Sequence, residues 1–161
     1  MTAELRRAVP ADVPGLVGLI HDLAEYERAS DQCTVTAAQL DTALFGAEPK
    51  VFAHVVDEDG ELVGCAIWFL NFSTWNGVHG VYLEDLYVKP ETRGKGYGKA
   101  LLAALAKEAV DNGYSRLDWA VLTWNTPSID FYESLGAAAQ NEWVGYRLTG
   151  EPLGKLAKEA R

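Results

Sequence analysis

From Gly80 to Gly113 the chain passes without a break from a run of β-formers, GVYLEDLYV, through a basic loop, KPETRGKG, into an amphipathic run, YGKALLAALAKEAVDNG. A strand, a tight glycine-spaced turn and a helix in direct succession leave few folds open. The strand is apolar apart from Glu84 and Asp85, so it belongs inside a sheet. The loop between strand and helix places Gly94, Gly96 and Gly98 at alternate positions. Glycine lets a backbone approach a ligand closely and turn its amides inward. The helix start behind it adds partial positive charge, and Arg93, Lys95 and Lys99 add full charges. Together these features describe an anion cradle suited to a pyrophosphate. The loop is not a dinucleotide fingerprint, because Lys99 stands where the last glycine would be, and it lacks the GK[ST] of a Walker loop.

The rest of the pattern fills in a mixed α/β sheet with helices on both faces. Spacing predicts strands over 4–9, 50–56, 61–72, 80–88, 115–122 and 142–150. Helices are predicted over 10–28, 37–45, 97–113 and 127–136, with Thr36 as a cap and a tail that can be helical. The 161 residues, 48% of them apolar, fit a single domain spanning 1–161. A net charge of −9 argues against nucleic acid or an anionic membrane as a partner and is compatible with a cationic ligand. Cys33 and Cys65 lie far apart, which argues against a knuckle or a disulfide framework and fits a reduced cytoplasmic setting. His21, His54 and His79 are scattered, so no metal is expected.

Arg93-x-x-Gly96-x-Gly98 resembles the acetyl-CoA signature of the GCN5-related N-acetyltransferase (GNAT) superfamily. With LAEYE (23–27), FSTWNG (72–77), YLEDLYV (82–88) and WNTPSIDFYESLGA (124–137), the chain looks closest to its spermidine/spermine branch. That branch also includes enzymes acting on amino acids with a side-chain amine. The resemblance implies a mostly antiparallel sheet, splayed at the cofactor site. It implies transfer of acetyl from acetyl-CoA to a primary amine of a small cationic acceptor, diamine- or polyamine-like, by direct attack, in a homodimer. An amino acid acceptor of the lysine or thialysine kind is the alternative, and a non-catalytic acetyl-CoA-binding module is a third reading.

Residue by residue, the resemblance implies that the backbone of Leu86, Tyr87 and Val88 pairs with the pantetheine arm. The loop Arg93, Gly94, Lys95, Gly96, Tyr97, Gly98 and Lys99 then takes the pyrophosphate. Asn125 and Ser128 match cofactor contacts, although Asn125 also stands where a helix cap is expected. Tyr132 matches the general acid toward the CoA sulfur. Glu84 matches the group that accepts the amine proton or binds the cation. Tyr26 and Glu27 match positions lining the acceptor pocket, and Asp85, with Asp118 and Trp119 on the splayed partner strand, is expected to join them. By strict alternation Glu84 shares a face with Tyr82, Leu86 and Val88, and only one of Glu84 and Asp85 faces the pocket directly. Polyamine-specific members carry a further glutamate after the final helix, where this chain has Val144, preceded by Glu142 and Trp143.

Overall fold

The computed structural model describes residues 2–161. They fall into two compact units, the first ending at Leu122 and the second running from Thr123 to Arg161. The first unit carries a five-stranded sheet: β1 (Ala3–Arg7), β2 (Phe52–Glu58), β3 (Glu61–Ser73), β4 (Val78–Val88) and β5 (Leu117–Asp118), in the order β1-β2-β3-β4-β5. All pairs are antiparallel except β4–β5, which is parallel. A parallel pair needs a crossover, and here it is helix α3 (Tyr97–Asp111).

Helices cover both faces of this sheet, because neighbouring residues on one strand serve opposite cores. On one side Cys65 and Ile67 of β3 cluster with Val13, Leu16 and Leu19 of α1 (Val13–Tyr26), and with Leu40 and Leu44 of α2 (Ala37–Phe45). On the other side a methyl placed on Gly64 would lie 3.5 Å from Leu101 of α3. Leu16, Leu101 and Leu105 are fully sequestered, each contributing roughly 2 kcal/mol of apolar burial. The predicted cap on α2 is present: Gln39 N–H donates to Thr36 Oγ1 at 3.2 Å, and Thr36 N–H to Gln39 Oε1 at 3.0 Å. The entry into α1 is fixed by Asp12, which accepts from Arg6 Nη1 at 2.7 Å and Nη2 at 3.1 Å, and from the Val9 amide at 2.8 Å. Those bonds, led by the Arg6 side chain, hold the Asp12 carboxyl below the usual aspartate range.

Two predicted strands differ from the observed structure. The one expected over 115–122 pairs only at Leu117 and Asp118. Its partner β4 carries a register shift between Leu83 and Asp85, and an inserted residue increases local twist and ends regular pairing. The strand expected over 142–150 does not form. Residues 143–149 are irregular, and helix α5 (Gly150–Ala157) follows. The second unit otherwise holds only helix α4 (Thr126–Ser134). A segment with strand propensity needs a neighbouring edge to satisfy its backbone groups, and no residue of 142–150 pairs with a strand. Trp143 at 75% and Tyr146 at 98% exposure accordingly have no core of their own.

Candidate active site

The loop after β4, expected to cradle an anion, is an open turn led by its glycines. Gly94 and Gly96 take φ of 86° and 81°, the left-handed region that side chains disfavour. No atom lies within 4 Å of where their Cβ atoms would be, so the space over the loop is open. Helix α3 starts at Tyr97 with no side-chain cap. The amides of its first turn have no acceptor within the helix and are presented at that open end. The side chains behave differently. Lys95 Nζ lies 3.1 Å from both oxygens of Glu58, and Tyr97 also donates its hydroxyl to Glu58. The Tyr97 bond, followed by Lys95, holds the Glu58 carboxyl below its usual range. Arg93 donates Nε to Val88 O at 3.1 Å, and its guanidinium lies 5.5 Å over the Tyr26 ring and 5.9 Å from that of Tyr87.

Next to the loop the sheet opens. Strand β4 meets β5 only at Val81↔Leu117 and Tyr82↔Asp118. Among the described residues, β4 has no strand partner on its β5 side from Leu83 to Val88. An open edge of this kind accepts an added extended chain, and it includes Leu86, Tyr87 and Val88.

The two adjacent acids sit at the register shift. Leu83 pairs with Trp68 and Asp85 with Ile67, which leaves Glu84 as the extra residue. The insertion overturns strict alternation. Tyr82, opposite Phe69, shares a face with Asp85 and with Tyr87, opposite Cys65, on the α1 side. Leu86 and Val88 lie opposite Ala66 and Gly64 on the α3 side, so Glu84 does not share a face with all three of the predicted residues. Both acids instead act on one region. Asp85 is half-buried, and desolvation, then Glu84, then Glu27, push its carboxyl up to about 6. Glu27, at the end of α1, is raised by burial and then by Glu84. Tyr82 is raised by burial, then by Glu84 and Asp118. The partly buried acid that the apolar strand predicts is therefore Asp85, while Glu84 is exposed. A carboxylate group of this kind stabilises a cation and takes up a proton near neutral pH.

Tyr26 is exposed under the Arg93 guanidinium, and Trp119 is half-buried just beyond β5. Asp118 brings two residues outside the predicted set: Arg116, whose Nε is 2.7 Å from Asp118 Oδ2, and Asn71, whose Nδ2 donates to the same oxygen at 3.3 Å. The signal for Arg116 was present in the sequence, since residues i and i+2 on a strand share a face.

Three predicted residues belong to the second unit. Asn125 is buried at the start of α4, and its side chain makes no capping bond, so capping does not account for it. Ser128 and Tyr132 are half-buried on α4, with the Tyr132 ring 5.6 Å from that of Phe131.

A profile of the Acetyltransferase (GNAT) family matches residues 17–137. The thialysine N-epsilon-acetyltransferase of Bos taurus is 38% identical over 164 residues, covering 95% of this chain and 96% of that protein. The L-ornithine N5-acetyltransferase of Arabidopsis thaliana is 30% identical over 203 residues, covering 98% and 89%. Among solved structures, an integron cassette protein from the mobile metagenome of V. cholerae superposes with a TM-score of 0.83 at 30% identity, covering 98% of this chain and 99% of that one.

Proposed function

The chain belongs to the acetyltransferase (GNAT) family, and we propose that it carries acetyl from acetyl-CoA to the side-chain amine of a small cationic amino acid. The observation that carries this reading is the bulge at Glu84, which gathers Glu84, Asp85 and Glu27 beside the open edge of β4. The relatives named for thialysine and L-ornithine support an amino acid acceptor ahead of a di- or polyamine. The absence of a glutamate at Val144 points the same way.

Acetyl-CoA supplies the activated thioester, and the chain's residues do the rest. The open edge from Leu83 to Val88 pairs with the pantetheine arm, and the amides from Gly94 to Lys99 hold the pyrophosphate. The acceptor arrives as an ammonium ion, attracted by Glu27, Glu84 and Asp85. Glu84, exposed beside half-buried Asp85, takes its proton through water. The neutral nitrogen then forms a bond to the acetyl carbon, the carbon–sulfur bond breaks, Tyr132 gives the departing thiolate a proton, and the second proton lost from the new amide nitrogen returns through water to the Tyr132 phenolate. CoA release measured across L-lysine, thialysine, L-ornithine, putrescine and spermidine tests the reading. Rapid release with the amino acids is expected, and no release with any amine would overturn it.

Gly98 isolates the role of the loop. Gly96 has a positive φ, so any side chain there adds strain. Gly98 is helical, and a Cβ there would meet only Val88 Cγ2 at 4.0 Å. Gly98→Asp removes a helix glycine and places an acid in the first turn, which favours the fold by about 0.3–1 kcal/mol through the helix dipole. The same charge faces the pyrophosphate. Melting temperature should hold or rise while acetyl-CoA affinity falls at least about tenfold, or 1.4 kcal/mol. Calorimetric titration showing unchanged affinity would remove the loop from the cofactor site.

A further inference from the structure

We infer that Arg116 and Asp118 form a reader for the zwitterionic head of an amino acid acceptor, with the α-carboxylate on Arg116 and the α-ammonium on Asp118. This rests on the acetyl-transfer reading above and assigns the end of the acceptor that does not react.

Asn71, Gly80, Tyr82, Arg116 and Asp118 lie together on the sheet. The register places Asn71 against Gly80 and Phe69 against Tyr82, and sets Tyr82 beside Asp118. Arg116 reaches Asp118 by laying its stem across Gly80, where an added Cβ would lie 3.2 Å from Arg116 Cγ and 2.6 Å from Asn71 Oδ1. A side chain at residue 80 would crowd that path.

The pair is half-used. Arg116 approaches Asp118 through Nε, and no other side-chain partner of Arg116 is found among the described residues. Its side chain is 47% exposed, and its terminal nitrogens form the fork that suits a carboxylate. Asp118 receives both Arg116 and Asn71 on Oδ2, which leaves Oδ1 as an acceptor for an ammonium. Asn71 is oriented by this contact: it donates Nδ2 to Asp118 and leaves its own buried Oδ1 without a hydrogen bond. A cation and an anion, each with one side open, complement a head group that carries one of each.

The spacing fits the rest of the acceptor. Asp118 sits at the level of Tyr82, two residues before the bulged Glu84, so the rise between the two levels is at most about 7 Å. That is the reach of the side chain of ornithine or lysine. Tyr82 stands beside Asp118 and feels the charge of both Glu84 and Asp118.

The test uses two amine pairs that differ only in the carboxylate: L-ornithine with putrescine, and L-lysine with cadaverine. Binding is measured by calorimetry and turnover by CoA release, for wild type and Arg116→Gln. Arg116 is on the surface, so the variant should fold. Wild type is expected to favour each amino acid over its diamine at least about tenfold, the range of a charge-assisted contact. Arg116→Gln should raise the amino acid KM and Kd by a similar factor with kcat nearly unchanged. The same variant should hold or lower the diamine KM, because Asp118 has lost its cation. An unchanged ratio of amino acid to diamine in Arg116→Gln would overturn the assignment, and so would equal binding of ornithine and putrescine by wild type. If no amine turns over but ornithine binds in an Arg116-dependent way, acetyl transfer falls and the head-group site stands. If diamines turn over and the ratio ignores Arg116, the opposite holds.

Discussion

Asp85→Asn should make the protein more stable and less active, with the gain in stability confined to pH above about 4. Burial, then Glu84 and Glu27, raise the Asp85 carboxyl to about 6. The folded state therefore binds this proton more tightly than the unfolded chain, whose aspartate has its ordinary value near 4. Between those two values stability falls as pH rises, and above the upper one the full penalty of the buried charge is present. The displacement is worth about 3 kcal/mol at most, which half-burial and solvent screening reduce to about 2 kcal/mol. Asparagine removes the charge at similar volume. Denaturant unfolding should show Asp85→Asn about 2 kcal/mol more stable at pH 8 and equal to wild type near pH 4. Turnover of cationic amines should drop about tenfold or more in kcat/KM as one of the three gathered carboxylates is lost. The acid limb of the wild-type rate profile, expected near pH 6, should move or vanish. A variant with equal stability at both pH values would mean that Asp85 carries no buried charge. Full activity would leave the acceptor's cation to Glu84 and Glu27 alone.

The sequence makes some of these features visible and hides others for physical reasons. Local signals carry well. Thr36 with Gln39 three residues on marks a helix start, and Gly94, Gly96 and Gly98 before an apolar 3.6-residue period mark an open turn into a helix. Both rest on interactions within a few residues. The bulge is harder to see, because alternation assumes that each residue on β4 faces one on β3, and a single insertion at Glu84 flips all that follow. The clue was two consecutive acids in an apolar strand, a pattern that strict alternation cannot bury. Strand ends are harder still. Trp119 to Leu122 and residues 142–150 have β-forming side chains, but a strand is completed by its neighbour, and sequence does not display the neighbour. Arg116 carries no motif, only a place two residues before Asp118.

Tyr132→Phe should slow turnover by about 10², with folding and acetyl-CoA affinity little changed. The argument starts from the leaving group. When the amine attacks the thioester, charge develops on sulfur, and a hydroxyl aimed at it lowers the barrier by supplying a proton as the bond breaks. General acid catalysis of this kind contributes about 10² to 10⁴-fold. A thiolate is a better leaving group than an alkoxide, so it departs slowly even without help, and the loss should lie at the lower end. Phenylalanine keeps the ring beside Phe131 and removes only the oxygen, so packing on α4 is retained. KM for the amine should be unaffected, because the proposed reading gives the cation to Glu27, Glu84 and Asp85 and not to Tyr132. The decisive measurements are kcat from CoA release, melting temperature, and acetyl-CoA affinity by calorimetry. A large fall in melting temperature would make Tyr132 a packing residue. Unchanged kcat in a stable variant would assign protonation of the thiolate to water. A loss in kcat alone would place the Tyr132 hydroxyl at the sulfur.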